Sequence, residues 1–143
     1  MEITNFETRL RTILGVDDVD LPDEVIAHPE YKELAESFIK SRVGDWESFY
    51  EESEDENIQK ERNHKKNIFE MCVIYKTADL LIPFCQTCIG NIKVAKTTHE
   101  STEYFENNFQ IKALSIRDSL YELLDMICDA PYDSFIGFAL SGK

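Results

Sequence analysis

Apolar residues recur at helical spacing through most of this chain, and punctuation residues cut the pattern into segments. Over residues 4–14, Ile3, Phe6, Leu10 and Ile13 or Leu14 form one stripe, Thr4 and Glu7 have capping-box spacing, and Gly15 closes the segment. An acidic loop over 16–27 follows. His28 and Pro29 then open a second helix, because proline at the first helical position wastes no backbone donor. Tyr31, Leu34, Ala35, Phe38, Ile39 and Arg42 share one face of it. Gly44 stands where a left-handed C-terminal cap falls, and Asp45 is placed to cap one further turn over 46–50, starting at the only tryptophan.

The longest predicted helix covers 57–83, about 40 Å at 1.5 Å per residue. Ile68, Met71, Cys72, Tyr75 and Ile82 lie on one face, with Phe69, Val73, Leu80 and Leu81 on others. A helix apolar nearly all round is the central member of a bundle. Asp79 interrupts that half, and a residual wet side is its expected place, with a buried polar partner as the alternative. Residues 84–106 break the helical period: Ile92-Lys93-Val94 alternates, and the threonine-rich string that follows has strand or extended-loop character. Asn107 or Asn108 then caps a final helix over 109–129, with Ala113, Ile116, Leu120, Leu124 and Ile127 as its stripe and Pro131 as its stop. The prediction is an all-α bundle of about four helices, two short and two long, with an extended or β-like loop between the last two.

Composition is consistent with one folded domain: 143 residues, 43% hydrophobic and 30% charged, with few Gly and Pro. The formal charge of −13 excludes tight nucleic-acid binding through phosphate contacts. It suits solubility, basic partners, or a surface past which DNA slides without sticking. No apolar run has the length of a membrane span, and the acidic start has no apolar signal-peptide core. Four cysteines in that setting are expected to be reduced thiols in a cytosol.

Two opposite charge blocks adjoin. Residues 51–56 hold five acids in six positions, and Lys60, Arg62, Lys65 and Lys66 place four of the fifteen basic residues directly after them. The acidic run reads first as a solvated turn; Glu61 and Lys65 form an i, i+4 pair supporting a helix. The blocks either neutralise one another within a subunit or face each other across a repeated head-to-tail contact. The tail, 131–143, carries Tyr132, Phe135, Ile136, Phe138 and Leu140. It either folds back on a helical domain of residues 1–130 or serves as an aromatic arm that docks in a partner.

Catalytic signatures are lacking. Cys85 and Cys88 form the one motif that hints at metal or redox chemistry, but a structural zinc needs four ligands and only His99 is near in sequence. A redox pair belongs at a helix start after a strand, whereas this one follows the helix end expected at Pro83. Two semi-buried thiols are the expectation. His28, His64 and His99 are scattered surface residues, and no phosphate-cradling loop or nucleophile elbow is present. No enzyme activity, metal or cofactor is expected.

Two blocks carry a family resemblance. Leu21, Pro22, Asp23, Glu24, Val25, Ile26, Pro29, Tyr31, Ala35, Glu36, Ile39, Lys40, Arg42, Val43, Asp45 and Trp46 form the first. Ile74, Tyr75, Ala78, Leu80, Leu81 and Pro83, within residues 73–83, form the second. The pattern resembles the small helical head–tail connector, or adaptor, proteins of tailed bacteriophages and prophages, and covers about a quarter of the chain. The resemblance implies a structural role: a homo-oligomeric ring under the portal protein, of about a dozen copies, that extends the DNA channel and docks downstream head-completion or tail proteins. It implies a place at the head–tail junction of the virion after synthesis in the bacterial host cytoplasm, with the chain a monomer before assembly. In that family terminal segments engage the portal, which is the arm reading of the tail. The acidic run, the cysteine pair and the aromatic tail depart from the shared pattern. The rival from charge alone is an acidic helical inhibitor that mimics DNA in the basic cleft of a host defence protein. A metal- or thiol-dependent protein built on Cys85 and Cys88 comes third.

Overall fold

The computed structural model describes residues 1–89 and 99–128, with side chains for 1–88 and 109–128. It is an all-α bundle: α1 (Phe6–Leu14), a single turn α2 (Asp23–Ile26), α3 (Lys32–Arg42), a 3₁₀ turn (Trp46–Tyr50), α4 (Glu56–Phe84), a π-helical turn (Cys85–Ile89) and α5 (His99–Ile127). The C-terminal tail, with Tyr132, Phe135, Ile136, Phe138 and Leu140, lies outside the described residues.

The central helix is α4. It touches α1, α3, the 3₁₀ turn and α5, and Ile68, Phe69, Cys72, Val73, Ile74, Thr77, Ala78, Leu81 and Ile82 are buried around most of its second half. Helix α5 runs antiparallel to it, with Arg117 bonded to Asp79 and Cys128 near Cys72. Phe109, Ala113, Ile116, Leu120, Leu124 and Ile127 are all buried, so the predicted stripe of the last helix is its core face.

Several local readings are corrected. Helix α1 starts at Phe6 without the capping box: Asn5 adopts a left-handed conformation (φ 53°) and no side chain caps the helix. Burial of Ile3 and Phe6 sets the entry of the chain instead. Gly15 does close α1. At φ 70° its N–H bonds the carbonyls of Arg11 and Thr12, and the Val16 N–H bonds Arg11 as well. A Cβ at Gly15 would collide with Nζ of Lys112, which donates to the Leu14 carbonyl at 2.9 Å. The end of α1 is thus capped partly from α5, a contact between residues 98 positions apart.

Helix α3 begins at Lys32, because His28 and Pro29 are taken up in a turn closed by the Tyr31 N–H on the His28 carbonyl. Leu34 is 53% exposed and leaves the predicted apolar face, whereas Ala35 and Ile39 are buried. Gly44 is not left-handed; Val43 ends α3 in an extended-like conformation and buries its side chain. Asp45 makes no side-chain cap, and the following turn is 3₁₀. The acidic loop contains the short turn α2, whose Ile26 is buried along with Leu21 just before it.

The largest correction concerns residues 84–106. Pro83 sits inside α4 rather than ending it, the backbone continues as a π-helical turn, and α5 is already helical from His99. Proline inside a helix forfeits a hydrogen bond and crowds the preceding turn. Burial of Leu81, Ile82 and Cys85 around it offsets that loss and holds the chain to the bundle. The alternating stretch 92–94 is outside the described residues.

Candidate partner-binding surface

The acidic run is a built helix start. The Asp55 carboxylate accepts from the N–H groups of Asn57 (2.9 Å) and Ile58 (3.4 Å), as an N-cap does. The Gln59 side chain accepts from the Ser53 N–H at 2.7 Å, and Arg62 donates to the carbonyls of Glu51 and Glu52 at 3.4 and 3.2 Å. The backbone of the run is therefore pinned, and the carboxylates of Glu51, Glu52, Glu54 and Glu56 stand in solvent.

The four basic residues beyond it do not form one patch. Lys65 pairs with Glu61 at 3.2 Å and sits 5.9 Å from the Phe49 ring; Lys66 lies 5.4 Å from the Tyr50 ring. Arg62 is held by the acidic run, and of the four only Lys60 is exposed. Within the chain, the two charge blocks meet through Arg62, at backbone carbonyls rather than at carboxylates.

The first resemblance block and α4 share an aromatic centre. Phe69 is fully buried; Trp46 stacks on it with centroids 5.6 Å apart, and Phe49 and Tyr50 meet it edge-on at 6.2 Å each. Lys40 lies 4.5 Å from the Trp46 ring and bonds Glu36. The Tyr50 hydroxyl donates to Glu70 at 3.0 Å, and burial first, then that carboxylate, raises the phenol above its ordinary range.

Asp79 does not face water. Its side chain is 12% exposed; Arg117 Nε donates to one oxygen at 2.8 Å and Lys76 Nζ is 3.5 Å from the other. Lys76 in turn lies 4.2 Å from the Phe38 ring, which Arg42 approaches at 5.0 Å. This triad ties α3, α4 and α5 together. The sequence reading puts a wet side first for Asp79 and a buried polar partner second; the second holds, and an arginine in the next long helix is the available signal for the partner.

Cys72 and Cys85 are fully buried, while Cys88 is partly exposed. Burial pushes the Cys85 thiol up to about 12, with Asp20 and Cys88 adding to the rise and Lys112 opposing it; burial, then Cys128, raises Cys72 too. A raised thiol is a poor nucleophile at neutral pH. Among the described residues no group of three or more His, Cys, Asp or Glu is placed to hold a metal. At pH 8 iodoacetamide is expected to modify Cys88 at least about tenfold faster than Cys85 or Cys72, as read by peptide mass spectrometry. Equal rates in the native protein would contradict this packing. His28 accepts from the Glu30 N–H through Nδ1 at 3.3 Å, and both it and His64 are exposed. His99 is the first residue of α5.

An apolar groove of 220 Å³ lies between α1 and α4, lined by Thr8, Thr12, Ile13, Met71, Ile74 and Tyr75 with Arg9 at its edge. No motif announced it, since it exists only where two helices diverge. Among the described residues no helix is long and apolar enough to cross a membrane. No family model, no curated protein and no solved structure matches the chain.

Proposed function

We propose that the protein is a structural head–tail connector of a tailed bacteriophage, without catalytic activity, that forms a ring on the portal protein. The observation that carries the reading is how the two resemblance blocks meet. Ile26, Ala35, Ile39 and Val43 from the first and Ile74, Ala78 and Leu81 from the second all belong to one core, with α3 packed on α4. The residues of the pattern thus build one compact helical unit, which supports an assembly role. In this role the ring extends the DNA channel and offers a platform to the next head-completion or tail protein. A chain of charge −13 repels phosphate and so gives DNA a passage without adhesion. The site of action would be the virion's head–tail junction, after synthesis in the host cytoplasm.

Native mass spectrometry of the full chain, alone and mixed with the portal protein encoded beside it, tests the proposal. A ring-sized assembly, free or on the portal, is the expected result. A monomer indifferent to the portal would sink the connector reading and direct attention to an acidic inhibitor of a host defence protein, sought by pull-down from host lysate.

A further inference from the structure

We propose that the groove between α1 and α4 is the docking site of the chain's own C-terminal segment, residues 132–140. The groove has an apolar lining, with Ile13, Met71 and Tyr75 only half-buried along it. Its 220 Å³ exceeds the roughly 150 Å³ that admits a benzene-sized ring in an apolar site. The tail supplies matching side chains: Tyr132, Phe135, Ile136, Phe138 and Leu140 within nine positions.

Where the described chain ends decides which occupant is favoured. The Cys128 thiol donates to the Arg42 carbonyl at 3.5 Å and lies close enough to Cys72 to affect its ionisation. Cys72 is on the same turn of α4 as Met71 and Tyr75, two residues of the groove wall. Residue 132 follows Cys128 by four positions, a reach of up to about 14 Å, and crossing one helix takes about 10 Å. Four residues are therefore long enough to bring the first aromatic of the tail to the groove. Arg9 at the groove edge also complements Asp133, which adjoins Tyr132 in sequence. A tail seated in this way sets apolar side chains against the half-buried lining of the groove. The inference does not rest on the connector reading, because an intramolecular contact stands whether or not the chain assembles on a portal.

The test is photo-crosslinking of the full chain with p-benzoylphenylalanine in place of Thr12, an exposed wall residue of the groove, and a control carrying it in place of exposed Val19. The expected result is an adduct of monomer mass that maps to residues 132–140 and is absent from the control. The double substitution Phe135→Asp and Phe138→Asp should lower its yield about tenfold or more, with the helical circular dichroism unchanged. Adducts confined to other parts of the chain, or formed only between two chains, would overturn the proposal.

Discussion

Replacing Phe69 by alanine is expected to lower the unfolding free energy by about 3–5 kcal/mol, the range for deleting a fully buried aromatic side chain. The ring has no solvent exposure and is the common neighbour of Trp46, Phe49 and Tyr50, at 5.6, 6.2 and 6.2 Å. Its loss leaves a cavity under the 3₁₀ turn and removes three ring–ring contacts, each worth about 0.5–1.5 kcal/mol beyond area burial. Because Trp46 is the only tryptophan, its fluorescence and near-ultraviolet circular dichroism report this cluster directly. Chemical denaturation followed at Trp46 should show the midpoint moving sharply, while Leu34→Ala, at a residue 53% exposed, should move it by no more than about 0.5 kcal/mol. A Phe69→Ala loss below about 1 kcal/mol would mean that the aromatic centre is not packed as described.

Asp79→Ala should cost about 2–3 kcal/mol, and Arg117→Ala less than about 1 kcal/mol. The asymmetry follows from exposure. The Asp79 side chain is 12% exposed and Lys76 18%, so removing the carboxylate strands an ammonium in a place with little water. The Arg117 side chain is 51% exposed and solvent screens its share of the pair. A double-mutant cycle between the two positions would isolate their coupling, and thermal unfolding of the four proteins supplies the measurement. Equal losses for the two single variants would show that Asp79 is held chiefly by Arg117 and that Lys76 adds nothing.

The amphipathic stripes were legible because each is a local property. The core face of α5 follows from residue spacing, and Gly15 closes α1 as its position after the stripe implies; of the face read for α4, Ile68, Cys72 and Ile82 are buried, whereas Met71 and Tyr75 are only half-buried. The cap readings fared worse. Thr4 and Glu7 have capping-box spacing, yet burial of Ile3 and Phe6 decides how the chain enters α1. Gly44 and Asp45 look like a stop and a start, but Val43 is drawn into the core and sets the turn geometry first. Pro83 illustrates the same competition: a residue that ends helices locally is carried through by the burial of Leu81, Ile82 and Cys85 around it.

Charge was harder to read than hydrophobicity, since an ion pair depends on where separate elements meet. The juxtaposed blocks at 51–56 and 60–66 drew attention, but Arg62 serves the run's backbone, and Lys65 and Lys66 rest on Glu61, Phe49 and Tyr50. Asp79 looked like an exposed exception and is instead the tie between α4 and α5. By itself the sequence determined the all-α class, the central position of the long helix and the inward stripe of the last one, because helical periodicity is written residue by residue. Only the tertiary structure decided the Asp79 triad, the aromatic centre on Phe69, the capping of α1 by Lys112 and the groove between α1 and α4. Each depends on residues 19 to 98 positions apart meeting at one place, and no local pattern encodes that meeting.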